Sequence, residues 1–127
     1  MSKAVLDASA LLALLNAEGG STLVLEYLPN SIISTVNLAE VVTRLSILGM
    51  PEGEVREALN VLGLEIIPFD EEQAFRAGLL STYTQSLGLS LGDRACLALA
   101  LSTHAIALTA DRDWTKVKIG VEIRLIQ

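Results

Sequence analysis

Four carboxylates, Asp7, Glu40, Asp93 and Asp111, stand where this sequence could do chemistry. Asp7 comes directly after the apolar run Ala4, Val5 and Leu6, and a leucine-rich helical pattern follows it. An ionised carboxylate in such company is expensive to desolvate unless a cation or hydrogen-bond donors satisfy it. Asp111, in LTADRDW, also follows a strand-like run. In open α/β sheets, sites form beyond the carboxyl ends of the strands. If the two strands are neighbours, Asp7 and Asp111 face each other across the switch point of the sheet. Plain structural roles compete: Asp7 as the cap of the following helix, and Asp111 as a polar turn residue.

The other two carboxylates lie in helical patterns. Asn37, Glu40 and Arg44 are spaced i, i+3 and i+7 and so project from one face. The competing reading is a surface ion pair between Glu40 and Arg44, worth under about 1 kcal/mol. In SLGDRACLALA, Ser90 and Asp93 have capping-box spacing, which makes a structural role plausible for Asp93. The helix beyond it is nearly all Ala, Leu and Cys, so its first turn, with Asp93 and Arg94, is the end expected to face a cleft.

Oxygen ligands of this kind select hard cations, Mg²⁺ or Mn²⁺, over zinc. Neighbouring carboxylates without a cation repel and raise one another's pKa values. No His/Cys cluster competes, since His104 and Cys96 are the only ones of their kind. His104 reads as a helix-end residue and Cys96 as a small core residue. There is no Gly-rich phosphate loop and no GxSxG elbow.

These residues need elements to position them, and the segments alternate between strand-like and helix-like, as in an α/β domain with a mostly parallel sheet. Strands are expected at Lys3–Asp7, Ser31–Ser34, Leu64–Ile67, Ala105–Thr109 and Val121–Ile126. Helices are expected at Ser9–Leu15, Ser21–Leu28, Thr35–Leu48, from Pro51 as the first helical residue, from a cap at Asp70 with Gln73 reaching back, and at Leu91–Thr103. Val55, Ala58, Leu59 and Leu62 make one apolar face of the fourth helix, with Glu52 and Arg56 paired on the other side. Phe75, Leu79 and Tyr83, at helical spacing, are expected in the core. Trp114 is expected to pack against the sheet rather than to stack on a base.

With 127 residues and 51% hydrophobic composition, a single domain over 1–127 with a real core is expected. The net charge of −6 argues against a broad, non-specific DNA binder, which carries a basic footprint. It leaves room for an enzyme that meets phosphates through metal ions and a few arginines, and it suits a basic partner. Lys3 before an apolar run resembles the start of a signal peptide, but Asp7 interrupts it and no cleavage pattern follows. No uninterrupted apolar stretch approaches membrane-spanning length. A cytoplasmic location is expected, with no membrane association.

In this order, VLDASALLALL, STVNLAEVVTRL, SLGDRACLALA and LTADRDW resemble the PIN-domain nucleases, and within them the VapC-type toxins of prokaryotic toxin–antitoxin pairs. Each motif alone is weak; the four in order span essentially the whole chain. The resemblance implies a three-layer sandwich, with a five-stranded parallel sheet ordered 3-2-1-4-5 between helices. It implies that Asp7, Glu40, Asp93 and Asp111 form an acidic quartet that binds Mg²⁺ or Mn²⁺ and hydrolyses RNA through an activated water. Such a reaction leaves 5′-phosphate and 3′-hydroxyl ends. Asp113 matches an acidic position found in some members. Ser9, Thr109 and Asn37 match polar positions near the pocket.

Arg44, Arg94, Arg112 and Lys116 are the candidates for phosphate contacts, with solvated surface or ion pairing as the competing reading of each. A homodimer and a VapB-like antitoxin are further implications of the resemblance. Other readings stay open: a catalytically silent PIN-like binding module, a DNA-directed nuclease of the same fold, and a receiver-like signalling domain. The last usually has paired acidic residues after its first strand and a lysine after its last, and neither is evident here.

Overall fold

Each inner strand of the sheet is a short apolar run whose alternate side chains serve opposite faces. The computed structural model of the chain describes residues 3–127. Strand β1 (Ala4–Leu6), β2 (Ser31–Ser34), β3 (Glu65–Ile67), β4 (Ile106–Thr109) and β5 (Ile123–Leu125) form one parallel sheet in the order β3-β2-β1-β4-β5. That is the order the resemblance implied. Ala4, Leu6, Ile33, Ile106 and Leu108 enter one apolar cluster, while Val5, Ile32 and Ala107 enter the other.

The first cluster is closed by helices α1 (Ala8–Leu15), α2 (Ser21–Tyr27), α3 (Thr35–Ile47) and α4 (Glu52–Asn60) through Leu11, Val24, Val41 and Val55. The second is closed by α5 (Glu71–Leu79) and α7 (Leu91–Thr103), with the short α6 (Ser81–Thr84) between them. β1 lies at the centre, with Ala4, Val5 and Leu6 fully buried. Whatever follows β1 therefore emerges at the middle of the sheet.

β2 and α7 have the expected boundaries, and the other strands are one to three residues shorter than expected. Ser90 caps α7 in a reciprocal capping box with Asp93, and His104 ends it in the left-handed conformation at φ 54°. Trp114 is completely buried in the second cluster and Cys96 beside it. Among the described residues, no helix is long and apolar enough to cross a membrane.

Three local expectations are corrected. Pro51 is the extended N-cap of α4, not its first helical residue. Asp70 does cap α5, but the Gln73 side chain donates to Ser102 Oγ on α7 instead of turning back. Phe75, Leu79 and Tyr83 are exposed, at 63%, 71% and 67%. The buried stripe is instead Ala77, Leu80 and Thr84, of which Ala77 and Leu80 join the cluster that contains α7. Small Ala77 lets α5 approach the Ala-rich α7 closely, which the bulkier stripe would not.

Trp114 is the largest fully buried side chain, and its Nε1 has no hydrogen-bond partner among the described residues. Its contribution is therefore packing alone. Trp114→Ala is expected to cost about 3–5 kcal/mol in urea unfolding, and Trp114→Phe less than half of that, since it gives up volume but no hydrogen bond. Equal losses in both variants would contradict this account.

Candidate acidic site

Asp7 is the N-cap of α1, at φ −85° and ψ 178°. Its Oδ1 accepts from Ala10 N at 2.8 Å and from Ser9 Oγ at 2.7 Å, and its Oδ2 accepts from Thr109 Oγ1 at 2.5 Å. The carboxylate is only 5% exposed. Ser9 and Thr109 are in turn tied to the far side of the switch point. Ala110 N donates to Ser9 Oγ at 2.9 Å, and Asp111 N to Thr109 Oγ1 at 3.0 Å. Asp7 and Asp111 are thus linked through Thr109, at the carboxyl ends of the adjacent strands β1 and β4. Asp111 is exposed and caps the turn that follows, with Oδ1 accepting from Asp113 N at 2.9 Å.

Glu40 and Asp93 approach from α3 and α7. Asn37 is buried, and its Nδ2 donates to Glu40 Oε1 and to the Gly92 carbonyl, both at 3.0 Å. Asp93 Oδ2 accepts from Ser90 N at 2.9 Å, completing the capping box. Burial pushes the Cys96 thiol well above its usual pKa, and the charges of Asp7, Asp93 and Glu40 push it further. Asn37 and the capping box thus bring Glu40 and Asp93 to the first turn of α7.

None of the four acidic side chains takes part in an ion pair among the described residues, and the Glu40–Arg44 pair of the competing reading is not formed. The donor set is therefore all oxygen, partly desolvated and without a neutralising side chain, which suits a hard divalent cation. No three acidic, histidine or cysteine side chains among the described residues stand close enough to hold one ion as they are placed. Shared coordination would need the carboxylates to draw together.

The sequence matches the PIN domain family over residues 4–120. The chain belongs to that family. Solved structures share the fold of this PIN domain. A chain of DNA-bound VapBC from Salmonella typhimurium is 18% identical, with a TM-score of 0.78 and all of both chains covered. A chain of VapBC2 from Rickettsia felis, bound to a promoter DNA fragment, is 19% identical, with a TM-score of 0.75 and 96% of this chain and 97% of that chain covered. A chain of a toxin–antitoxin complex from Klebsiella pneumoniae is 23% identical, with a TM-score of 0.71 and 95% and 100% covered. No match is found among curated protein sequences.

The candidate phosphate-binding cations of this PIN domain are placed unequally. Arg44 is exposed on α3, beside a shallow groove shared with Glu40 and Phe69. Arg112 is exposed at the start of the turn after β4. Lys116 lies 3.5 Å from Asp113 in an exposed ion pair. Arg94 points into the seam between α5 and α7, where Nη1 donates to the Ala77 carbonyl at 2.9 Å. The residue that sequence reasoning overlooked is Gly92, buried in the first turn of α7 against the Glu40 carboxylate. The available signal was a glycine inside a helix otherwise built of strong helix formers.

Burial raises the pKa of Asp7 from 3.8 to about 6, against the lowering effect of its three donors and with a further upward push from Asp93. The folded state therefore holds the Asp7 proton more tightly than the unfolded chain. This contribution to stability is complete below the unfolded pKa and is lost as pH rises through the folded value. For a group moved this far the loss amounts to at most about 3 kcal/mol. In chelator-treated protein, the stability of Asp7→Asn relative to wild type should rise as the pH goes from about 4 to about 7 in urea titrations. A difference that stays flat over that range would contradict the buried, uncompensated charge.

Proposed function

We propose that this PIN domain is a metal-dependent endoribonuclease, a VapC-type toxin that hydrolyses phosphodiester bonds in RNA. The observation that carries the reading is the buried Asp7 carboxylate. It is fixed by donors at the switch point of the sheet and has no ion-pair partner among the described residues.

On this reading Asp7, Glu40, Asp93 and Asp111 hold Mg²⁺ or Mn²⁺. A divalent ion bound there supplies Lewis acidity toward a phosphodiester oxygen and a water of lowered pKa. Ser9 and Thr109 hold both Asp7 oxygens in one orientation, which makes Asp7 the fixed member toward which the other carboxylates draw on binding. The raised Asp7 pKa links ion binding to proton release from this residue. Asp113 holds Lys116 near the site, and Arg44 and Arg112 are the exposed cations best placed to meet substrate phosphates. Arg94 keeps a secondary role, with one nitrogen committed to Ala77. Water as nucleophile makes the 2′-hydroxyl dispensable, so preference for RNA rests on shape and contacts, with unpaired loops favoured.

The likeness in fold to chains of VapBC complexes supports a VapB-like antitoxin as partner. The net charge of −6 suits a basic antitoxin segment lying over the acidic site. A homodimer is part of the same proposal, for which exposed Phe75, Leu79 and Tyr83 offer an apolar face. So is a cytoplasmic place of action.

The test is cleavage of a mixed cellular RNA pool by purified, antitoxin-free protein in Mg²⁺ and in EDTA. Discrete cuts with 5′-phosphate ends are expected in Mg²⁺ only. Asp7→Asn and Asp93→Asn keep a capping oxygen and should fold, yet lose at least about 100-fold in rate, since even mutating a partner that only orients a metal ligand costs about 10- to 100-fold. Cutting of DNA but not RNA would move the substrate to DNA. Binding of the ion without cutting either nucleic acid would leave a binding module.

A further inference from the structure

We infer that Gly92 is a positioning residue. The hydrogen atom in place of a side chain leaves the space in which the Glu40 carboxylate lies against α7, and Asn37 clamps the carboxylate there. The inference rests on the reading of Glu40 as part of the acidic site, and it concerns what fixes that side chain.

Gly92 has an ordinary helical backbone, so no unusual dihedral calls for glycine. Within a helix glycine is less favourable than alanine by about 1 kcal/mol, and something must compensate. A Cβ on Gly92 would stand 2.6 Å from the Glu40 carboxyl carbon and would overlap both of its oxygens. Other helical glycines give the contrast: a Cβ on Gly53 in α4 or Gly78 in α5 would meet nothing within 4 Å. Only at Gly92 is the missing methyl group replaced by a carboxylate.

Asn37 completes the clamp. It is 1% exposed, and its amide group donates at 3.0 Å both to Glu40 Oε1 and to the carbonyl of Gly92 itself. One side chain of α3 thereby ties the Glu40 carboxylate to the helix turn that also carries Asp93. Adding a methyl group at position 92 would not break the helix, because the obstructed group is the mobile end of a side chain. It would push the carboxylate out of the clamp toward solvent and leave the Asn37 amide to find another acceptor.

The test compares wild type, Gly92→Ala, Glu40→Ala, the double variant and Gly53→Ala as control, by three readouts. Thermal unfolding should show Gly92→Ala folded as wild type. In metal-free protein, the Asn37 side-chain amide resonances should move in Gly92→Ala as they do in Glu40→Ala, and stay in place in Gly53→Ala. Mn²⁺ affinity should fall about 10- to 100-fold in Gly92→Ala, as for other partners that orient metal ligands. In the Glu40→Ala background, Gly92→Ala should add no further loss, since the two changes act through one group.

Unmoved Asn37 resonances in Gly92→Ala, or a full additional loss in the double variant, would overturn the inference. Wild type that neither binds Mn²⁺ nor cuts RNA would refute the nuclease reading instead. The amide resonances of metal-free protein would then still decide whether Gly92 positions Glu40.

Discussion

A carboxylate at the end of the central strand is a demand that the surrounding chain has to meet. β1 has neighbours on both edges and helices on both faces, so Asp7 emerges where water hardly reaches. Its donors must come from the protein. One is the backbone of its own helix, through Ala10. The others are the hydroxyls of Ser9 and Thr109, each also accepting a backbone N–H of the β4 loop. The same bonds that satisfy Asp7 thereby fix the loop that carries Asp111. They do not cancel the cost of burial, because the pKa of Asp7 remains raised. Three good hydrogen bonds and an unfavourable ionised state coexist in one group, a combination that functional sites show more often than purely structural ones.

Three of the candidate acidic residues also have capping roles, so the two readings that the sequence offered as rivals are compatible in one side chain. Asp7, Asp93 and Asp111 each accept a backbone N–H at the start of a helix or turn. Asp93 does so with Oδ2 and Asp111 with Oδ1, and the second oxygen of each has no hydrogen bond among the described residues. A cap therefore acts as a mount. It removes rotamer freedom from a short side chain and leaves one oxygen to project. Glu40, with a longer side chain and no cap to make, needs other restraint, and Asn37 gives it.

The unequal legibility of the chain has the same physical basis. β2 and α7 could be bounded to the residue because apolar periodicity and terminal signals agree there: Ser90 with Asp93 at one end, His104 at the other. The burial of Asp7 at the sheet's switch point was legible because a carboxylate directly after an apolar run is costly enough to stand out. The α5–α6 segment was misread because it carries apolar residues on two faces, and periodicity alone does not say which one packs. Size complementarity decided it, in favour of Ala77 against the small residues of α7. A glycine inside a helix marked position 92 in the sequence, but its role was hidden for a related reason. Its role lies in a volume left empty for a side chain 52 positions earlier in the sequence, and such a relation exists only after α3 and α7 have been brought together.

Electrostatics also constrain what can come to this surface. The chain carries −6 overall, and its acidic residues converge on a site whose ordinary visitor, on the reading proposed above, is a polyanion. Phosphate and uncompensated carboxylates repel, and in a partly desolvated site they do so with less screening than in water. The few exposed cations nearby, Arg44 and Arg112 with Lys116 half-neutralised by Asp113, are too sparse to reverse the sign of the field. On that reading a divalent ion serves to admit the polyanion, by reversing the local charge, as well as to activate it. A basic peptide needs no such help, since the field that repels RNA attracts it. The same charge distribution thus favours a basic peptide over a polyanion whenever the ion is absent.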